Sequence, residues 1–308
     1  MFFRQLQYLV ALAHEEHFGR AAARCNVSQP SLSSAIKQLE QTLGVPIVLR
    51  GRRFLGFTTE GKRIIEWAER VISQRDAMLV ELSGMRENFE GRLRLGAMPN
   101  SSPVLPLFSQ LLSRKHPGVE VDIRFLGIEQ TKLGLSNFSL DVGITYLKQG
   151  ELGGLHSMPI YVERLSLLVP DVEEYRDLSV ITWKDAAKLP LCLLDKSMHE
   201  RKIVDDAFAR LGLAPKPMVT ASDSILNLIF HVMFAGLVTV IPKHFVRMPG
   251  KFPGVRAIDL IEPEISQEVG LVWSPNEPMM PMATVMISIV NELRASGELE
   301  KRLGDLST

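Results

Sequence analysis

Residues 17–44, HFGRAAARCNVSQPSLSSAIKQLEQTLG, constrain this chain more tightly than any other stretch. Phe18, Ala21, Ala22 and Cys25 fall at helical spacing, and Leu32, Ile36, Leu39 and Leu43 follow at steps of four, three and four. The spacing predicts two amphipathic helices back to back, with Asn26 and Val27 as the turn. Ser28 is placed to cap the second helix with its hydroxyl. Pro30 falls in the first turn, where its missing N–H is not needed, and Gly44 ends the helix. Opposite the apolar stripe stand Gln29, Ser31, Ser33 and Ser34, with Lys37 one turn further on. These are short hydrogen-bonding groups of the kind a crowded major groove admits. Glutamine pairs with adenine, serine with several base edges or a phosphate, and lysine with a phosphate.

The flanks support this reading. Leu6, Leu9, Val10 and Ala13 predict a helix over about 4–14. After Gly44, Ile47 and Leu49, then Phe54 and Phe57, alternate around RGRR, which reads as a two-stranded wing with a basic tip. Arg50, Arg52 and Arg53 would grip the DNA backbone or the neighbouring minor groove. The charge follows the same division. The chain is formally neutral, with 35 basic and 35 acidic residues, but residues 1–63 hold nine basic and four acidic side chains. A basic head on an acidic body is the asymmetry expected where one end meets a polyanion.

The run FGRAAARCNVSQPSLSSAIKQLEQTLGVPIVLRGRRFLGFTTEG strongly resembles the winged helix-turn-helix of LysR-type transcriptional regulators. The matching positions are Ala21, Ala22, Val27 to Ser31, Ser33, Ile36, Lys37, Leu39, Glu40, Leu43, Gly44, Arg50, Arg53, Thr58 and Gly61. Cys25 stands where leucine is common, Val48 where phenylalanine is, and Ser34 where a longer, often basic side chain is frequent. The resemblance implies that Ser28, Gln29, Pro30, Ser31, Ser33, Ser34 and Lys37 face DNA together with the wing arginines. It also implies double-stranded DNA as partner, a dimer formed through the following helix, and further assembly to tetramers.

From about Thr59 to Met85, Ile64, Ala68, Val71, Met78, Leu82 and Met85 recur at steps of four and three, with Arg75 filling one gap. Ile65, Ile72 and Leu79 lie seven apart beside that seam. This predicts a long helix that pairs with another helix, packing against its own chain being the alternative. A symmetric pair would carry two heads to an inverted-repeat operator. ENFEGR, 87–92, reads as a polar hinge.

Beyond residue 91, strand-like and helix-like segments alternate, which predicts an α/β body with mostly parallel sheets. Segments such as HPGVEV, LDVGIT and AGLVTVIP resemble, more loosely, the effector domain of the same family: two lobes like those of periplasmic binding proteins, crossed twice by the chain, with a small inducer in the cleft. The expected organisation is 1–58 as the winged head, 59–91 as linker helix and hinge, and 92–308 as effector domain. Its lobes would be 92–162 with 267–308, and 163–266. Ligands of open α/β sheets bind beyond the carboxyl ends of the strands, where helix N-termini offer amides to an anion. That position singles out Asn100, Ser101 and Ser102, Gln130 and Thr131, Ser197 and His199, and Ser222. Plain helix capping is the alternative for each serine and threonine. With Lys196 and His199 nearby, a small organic anion is the expected inducer.

Other function classes are disfavoured. The chain holds no GxSxG, GxGxxG, P-loop or HExxH, and its seven histidines lack metal-ligand spacing. Neither a cofactor nor a metal is expected. Cys25 and Cys192 are its two cysteines, far apart and outside any CxxC, with a redox role for Cys192 left open. The most apolar stretch, 225–241, is interrupted by Asn227, His231 and Gly236 and is short for a membrane span. The start lacks a signal-peptide pattern, so a cytoplasmic regulator is expected, with RNA polymerase as a further partner to consider.

Overall fold

The computed structural model describes residues 2–50, 54–84, 90–148, 150–213, 215, 220–247, 252–275 and 279–303. The chain opens with three helices, α1 (Phe3–Glu15), α2 (Phe18–Arg24) and α3 (Gln29–Leu43). Leu9, Leu12, Ala21, Leu32, Ile36 and Leu39 meet in their shared core, each fully buried. Leu43, placed in that stripe by its spacing, is exposed at the helix end. Ser28 caps α3, its Oγ accepting the Ser31 N–H at 3.3 Å. Gly44 ends the helix in the left-handed region at φ 72°, where only glycine sits without strain.

Strands β1 (Val48–Arg50) and β2 (Phe54–Phe57) pair antiparallel as the wing. Glu40 anchors it from α3: one carboxylate oxygen accepts the N–H groups of Ile47 at 2.9 Å and Val48 at 3.1 Å. Thr58 Oγ1 donates to the Pro46 carbonyl at 2.7 Å and accepts the Gly61 N–H at 2.8 Å. Gly61 lies so near the Ile47 carbonyl that a Cβ there would collide with backbone.

Helix α4 (Thr59–Gly84) follows. One face carries Ile64, Ile65, Ala68 and Ile72 into the head core. Another leaves Trp67, Val71, Met78 and Leu79 exposed. The first face packs on its own chain, and the second is left free of it. Arg75 folds back onto the head. Its guanidinium lies 5.1 Å from the Phe3 ring centre on α1.

The body contains β3 (Glu90–Ala97), α5 (Leu105–Lys115), β4 (Gly118–Phe125), α6 (Ile128–Ser136), β5 (Val142–Tyr146), β6 (His156–Pro170) and β7 (Val180–Thr182). Then come α7 (Trp183–Ala186), β8 (Cys192–Leu194), α8 (His199–Arg210), β9 (Thr220–Ser222), α9 (Ile225–Ala235) and β10 (Thr239–Pro242). The described chain finishes with α10 (His244–Arg247), β11 (Val255–Ile261), β12 (Ser266–Trp273), α11 (Pro281–Ser296) and α12 (Glu298–Leu303).

The body's main sheet runs β4-β3-β5-β12-β6-β11-β7, with β10 also on β6. It is mixed rather than mostly parallel. β3 pairs parallel with β4 and β5, but β12 is antiparallel to β5 and β6, as β10 and β11 are to β6. The cause is β6. It pairs with β12 from His156 to Arg164 and with β10 and β11 from Leu165 to Pro170, so one unbroken strand serves two sheet halves. β8 and β9 pair parallel and join β10 through a bridge between Leu191 and Val238. Each half has its own core. The first gathers Leu95, Ile144, Leu271, Phe108 and Met286. The second gathers Leu167, Leu193 and Val240 around Trp183 and Phe208.

Candidate nucleic-acid interface and effector cleft

At the head, Ser28, Gln29, Pro30, Ser31, Ser34 and Lys37 are exposed and Ser33 is half-buried, while Leu32, Ile36 and Leu39 point inward. The start of α3 thus offers a continuous small polar face. Arg50 ends β1, and Arg52 and Arg53 lie outside the described residues. Arg20 and Arg24 on α2 are exposed and both pair with Glu15, at 3.5 and 3.0 Å. The sequence pattern does not single out either of them.

Linker and body are fastened by one polar knot. Arg94 on β3 grips Asp141 through Nη2 and Nε at 2.7 and 3.1 Å. The Asp141 carboxylate also accepts the Arg94 N–H at 2.7 Å. The Arg94 Nη1 donates to Ser73 Oγ on α4 at 2.8 Å, and that hydroxyl donates to the Phe138 carbonyl at 2.7 Å. Ser73 and Asp141 are buried.

In the body, the parallel strands β3, β4 and β5 all end at one rim, and a cleft of about 470 Å³ opens there. The N-termini of α6 (Gly127 to Gln130) and α8 (Ser197 to Glu200) both face it, with Lys202 one turn into α8. Of the residues expected there, Gln130, Ser197 and His199 line the cleft. Gln130 Oε1 accepts the Gly127 N–H at 3.3 Å, and Ser197 Oγ donates to Asp195 at 2.7 Å. His199 is stacked on Tyr146 with ring centres 5.3 Å apart, and burial first, then nearby lysines against Glu151, lowers its pKa.

The other expected residues stand elsewhere. Asn100 is buried behind the rim, its Nδ2 donating to Tyr146 and Glu163. Ser101 and Ser102 return their hydroxyls to the carbonyls of Met98 and Pro99 at 2.7 and 2.6 Å. Thr131 is buried over Gly96 and Gly143, where a Cβ on Gly143 would strike its methyl. Ser222 accepts from Ser224 and Asn227 at the start of α9. Lys196 is exposed and absent from the cleft lining, where Lys202 stands instead. Capping explains the serines, because their hydroxyls satisfy the free amides and carbonyls of the nearest turn.

Sequence reasoning missed the buried polar wall. Tyr146 donates to Glu163 Oε1 at 2.6 Å, and burial pushes the Glu163 carboxyl up to about 8. Burial also raises Glu200. His244, lowered to about 4 by burial, is neutral, and its Nε2 donates to the Asn100 carbonyl at 3.0 Å. Nothing in the sequence marks Glu163, which stands beside Arg164 in a strand of mixed character.

A family model described as "Bacterial regulatory helix-turn-helix protein, lysR family" matches residues 3–62, and one described as "LysR substrate binding domain" matches residues 86–295. The chain belongs to the LysR family. It is a DNA-binding transcriptional regulator with an effector-binding domain. The chain is 30% identical over 301 residues to the regulator YnfL of Escherichia coli K12, covering 94% of this chain and 98% of that one. It is 29% identical over 286 residues to the hydrogen peroxide-inducible genes activator of Haemophilus influenzae, covering 90% and 91%. Full-length OxyR from Pseudomonas aeruginosa superposes with a TM-score of 0.72 at 26% identity, covering 95% of this chain and 97% of that structure. Among the described residues no helix of this LysR-family chain is long and apolar enough to cross a membrane, and no His, Cys, Asp and Glu cluster could hold a metal.

Proposed function

We propose that the head reads an inverted-repeat operator through α3 and the wing, and that a small molecule in the cleft between α6 and α8 resets the spacing of two heads. Ser28, Gln29, Pro30, Ser31, Ser33, Ser34 and Lys37 would meet the major groove, and Arg50, Arg52 and Arg53 the backbone beside it. The organisation into head (1–58), linker (59–91) and two-lobed effector domain (92–308) belongs to the same reading. The observation that carries it is the cleft's position: two helix N-termini converge on it, and the half of the body that holds α6 is tied to α4 by the Arg94–Asp141–Ser73 knot.

The converging amides and Lys202 favour an anionic group on the effector. Binding of effector to one pose of the halves would shift the population toward it and carry α4 along. The exposed Trp67, Val71 and Met78 support a dimer through α4, with tetramers built from such pairs. A cytoplasmic regulator that contacts RNA polymerase, and no catalyst, completes the reading.

A redox response through a cysteine thiol is no part of this reading. Cys192 is fully buried and burial lifts its thiol to about 11, while Cys25 packs against the head core. Neither supplies the exposed, low-pKa thiolate that such chemistry requires.

Salt titration of duplex binding tests the contacts. Affinity of the full chain should fall steeply as salt rises. Changing Arg50, Arg52 and Arg53 to alanine should reduce the log–log slope by about 5 for a two-headed complex, at about 0.9 per lost phosphate contact. An unchanged slope would remove the wing from the interface.

A further inference from the structure

Two buried carboxyls stand at the inner side of the cleft, Glu200 lining it and Glu163 one hydrogen bond behind the lining residue Tyr146. Glu163 on β6 is 1% exposed, and Glu200 in the first turn of α8 is 8% exposed. Tyr146 and Asn100 donate to Glu163 Oε1 at 2.6 and 3.2 Å, and Glu200 acts on the same carboxyl as a like charge. Glu200 lines both the cleft and a small cavity of about 20 Å³, where Glu200, Asn100 and Arg201 are the polar residues in a wall otherwise made of apolar side chains such as Leu194, Val204 and Ile241. Arg201 commits its Nε to Asp205 at 2.8 Å and its Nη1 to the Leu194 carbonyl at 2.7 Å.

Two buried atoms here, Asn100 Oδ1 and Glu163 Oε2, have no hydrogen-bond partner. A buried amide oxygen such as Asn100 Oδ1 is costly to leave unmet and marks a place where a donor arrives. The cavity exceeds the roughly 10–15 Å³ that one water-sized group needs and is far too small for a ring or a guanidinium. We propose that this corner receives the ammonium end of the effector, so that the ligand is an amino-acid-like zwitterion. An ammonium brings three donors and no acceptor. The acceptors available in the cavity wall are the Glu200 carboxylate and Asn100 Oδ1, with Glu163 behind Asn100. The ligand's anionic end keeps its place at the α6 and α8 amides beside Lys202. The inference rests on the cleft being the effector site.

The experiment uses full-length protein. Its unfolding midpoint and binding isotherms are measured with a panel of L-amino acids and ω-amino acids, each beside the matched carboxylate that lacks the amine. At least one amine-bearing probe should raise the midpoint and bind about tenfold or more tighter than its deaminated partner, the scale of a charge-assisted hydrogen bond. Glu200→Gln, checked for an intact unfolding transition, should weaken that probe by a similar factor. Glu200→Asp, which keeps the charge, should restore part of it. Equal binding of amine and deaminated probes, no binding by any amine, or full binding by Glu200→Gln overturns the proposal. Deaminated carboxylates that bind, and are lost in Lys202→Ala, would leave the regulator reading standing and remove only the ammonium subsite.

Discussion

At the residue scale, two positions separate what sequence makes legible from what it hides. Gly61 belongs to the run that resembles the LysR head, but its reason is spatial: a side chain would strike the Ile47 carbonyl where α4 passes the wing. Gly61→Ala should therefore destabilise the head by about 1–3 kcal/mol, although alanine favours helices. A thermal melt showing stabilisation would contradict this contact. Glu163 gave no such signal, because burial of a carboxyl depends on partners far away in the chain, Tyr146 and Asn100. Its pKa is raised from the ordinary 4.5 to about 8, so the folded state holds the proton more tightly than the unfolded one. The stabilising contribution is full below about pH 4.5 and is lost as pH rises through 8. Glu163→Gln keeps the shape and cannot ionise. Its unfolding midpoint should gain on that of the native chain steadily from pH 5 to 8.5, and a constant difference across that range would show that Glu163 does not titrate as its burial implies.

At the scale of elements, periodicity located most helices and strands, and its failures have particular causes. The stripe of α3 was readable because Leu32, Ile36 and Leu39 all turn to one core. Periodicity does not show that 156–170 runs as one unbroken strand, because its two halves find partners in different halves of the body. α4 carries two apolar faces, and sequence alone does not say which meets its own chain. The structure assigns Ala68 and Ile72 inward and leaves Trp67, Val71 and Met78 outward. If the outward face pairs two copies, Trp67→Ala should weaken self-association by about 2 kcal/mol or more, roughly thirtyfold. Analytical ultracentrifugation reads this directly. An unchanged dissociation constant with an intact fold would place the dimer contact elsewhere.

At the scale of the whole molecule, the basic head and the α/β body were both legible, and their connection was not. Arg94, Asp141 and Ser73 are ordinary residues in the sequence, 21 and 47 positions apart, and only the fold brings them together. The cleft was legible as a position, the carboxyl ends of strands beside helix N-termini, but which of the expected residues line it depended on tertiary packing, which buries Asn100, Ser101 and Thr131. Gln130, Ser197 and His199 remain at the cleft, while Ser101, Ser102 and Ser222 are spent on their own turns. Operator recognition by this chain requires the exposed start of α3 to enter a DNA groove. The most direct measurement is the ratio of affinities for operator and random duplex, at one salt concentration, for the native chain and Gln29→Ala. Gln29 is exposed and makes no core contact that folding depends on. The ratio should fall by about 1–3 kcal/mol per head, with the random-duplex affinity nearly unchanged. A ratio equal to that of the native protein would mean that α3 does not read the operator through Gln29.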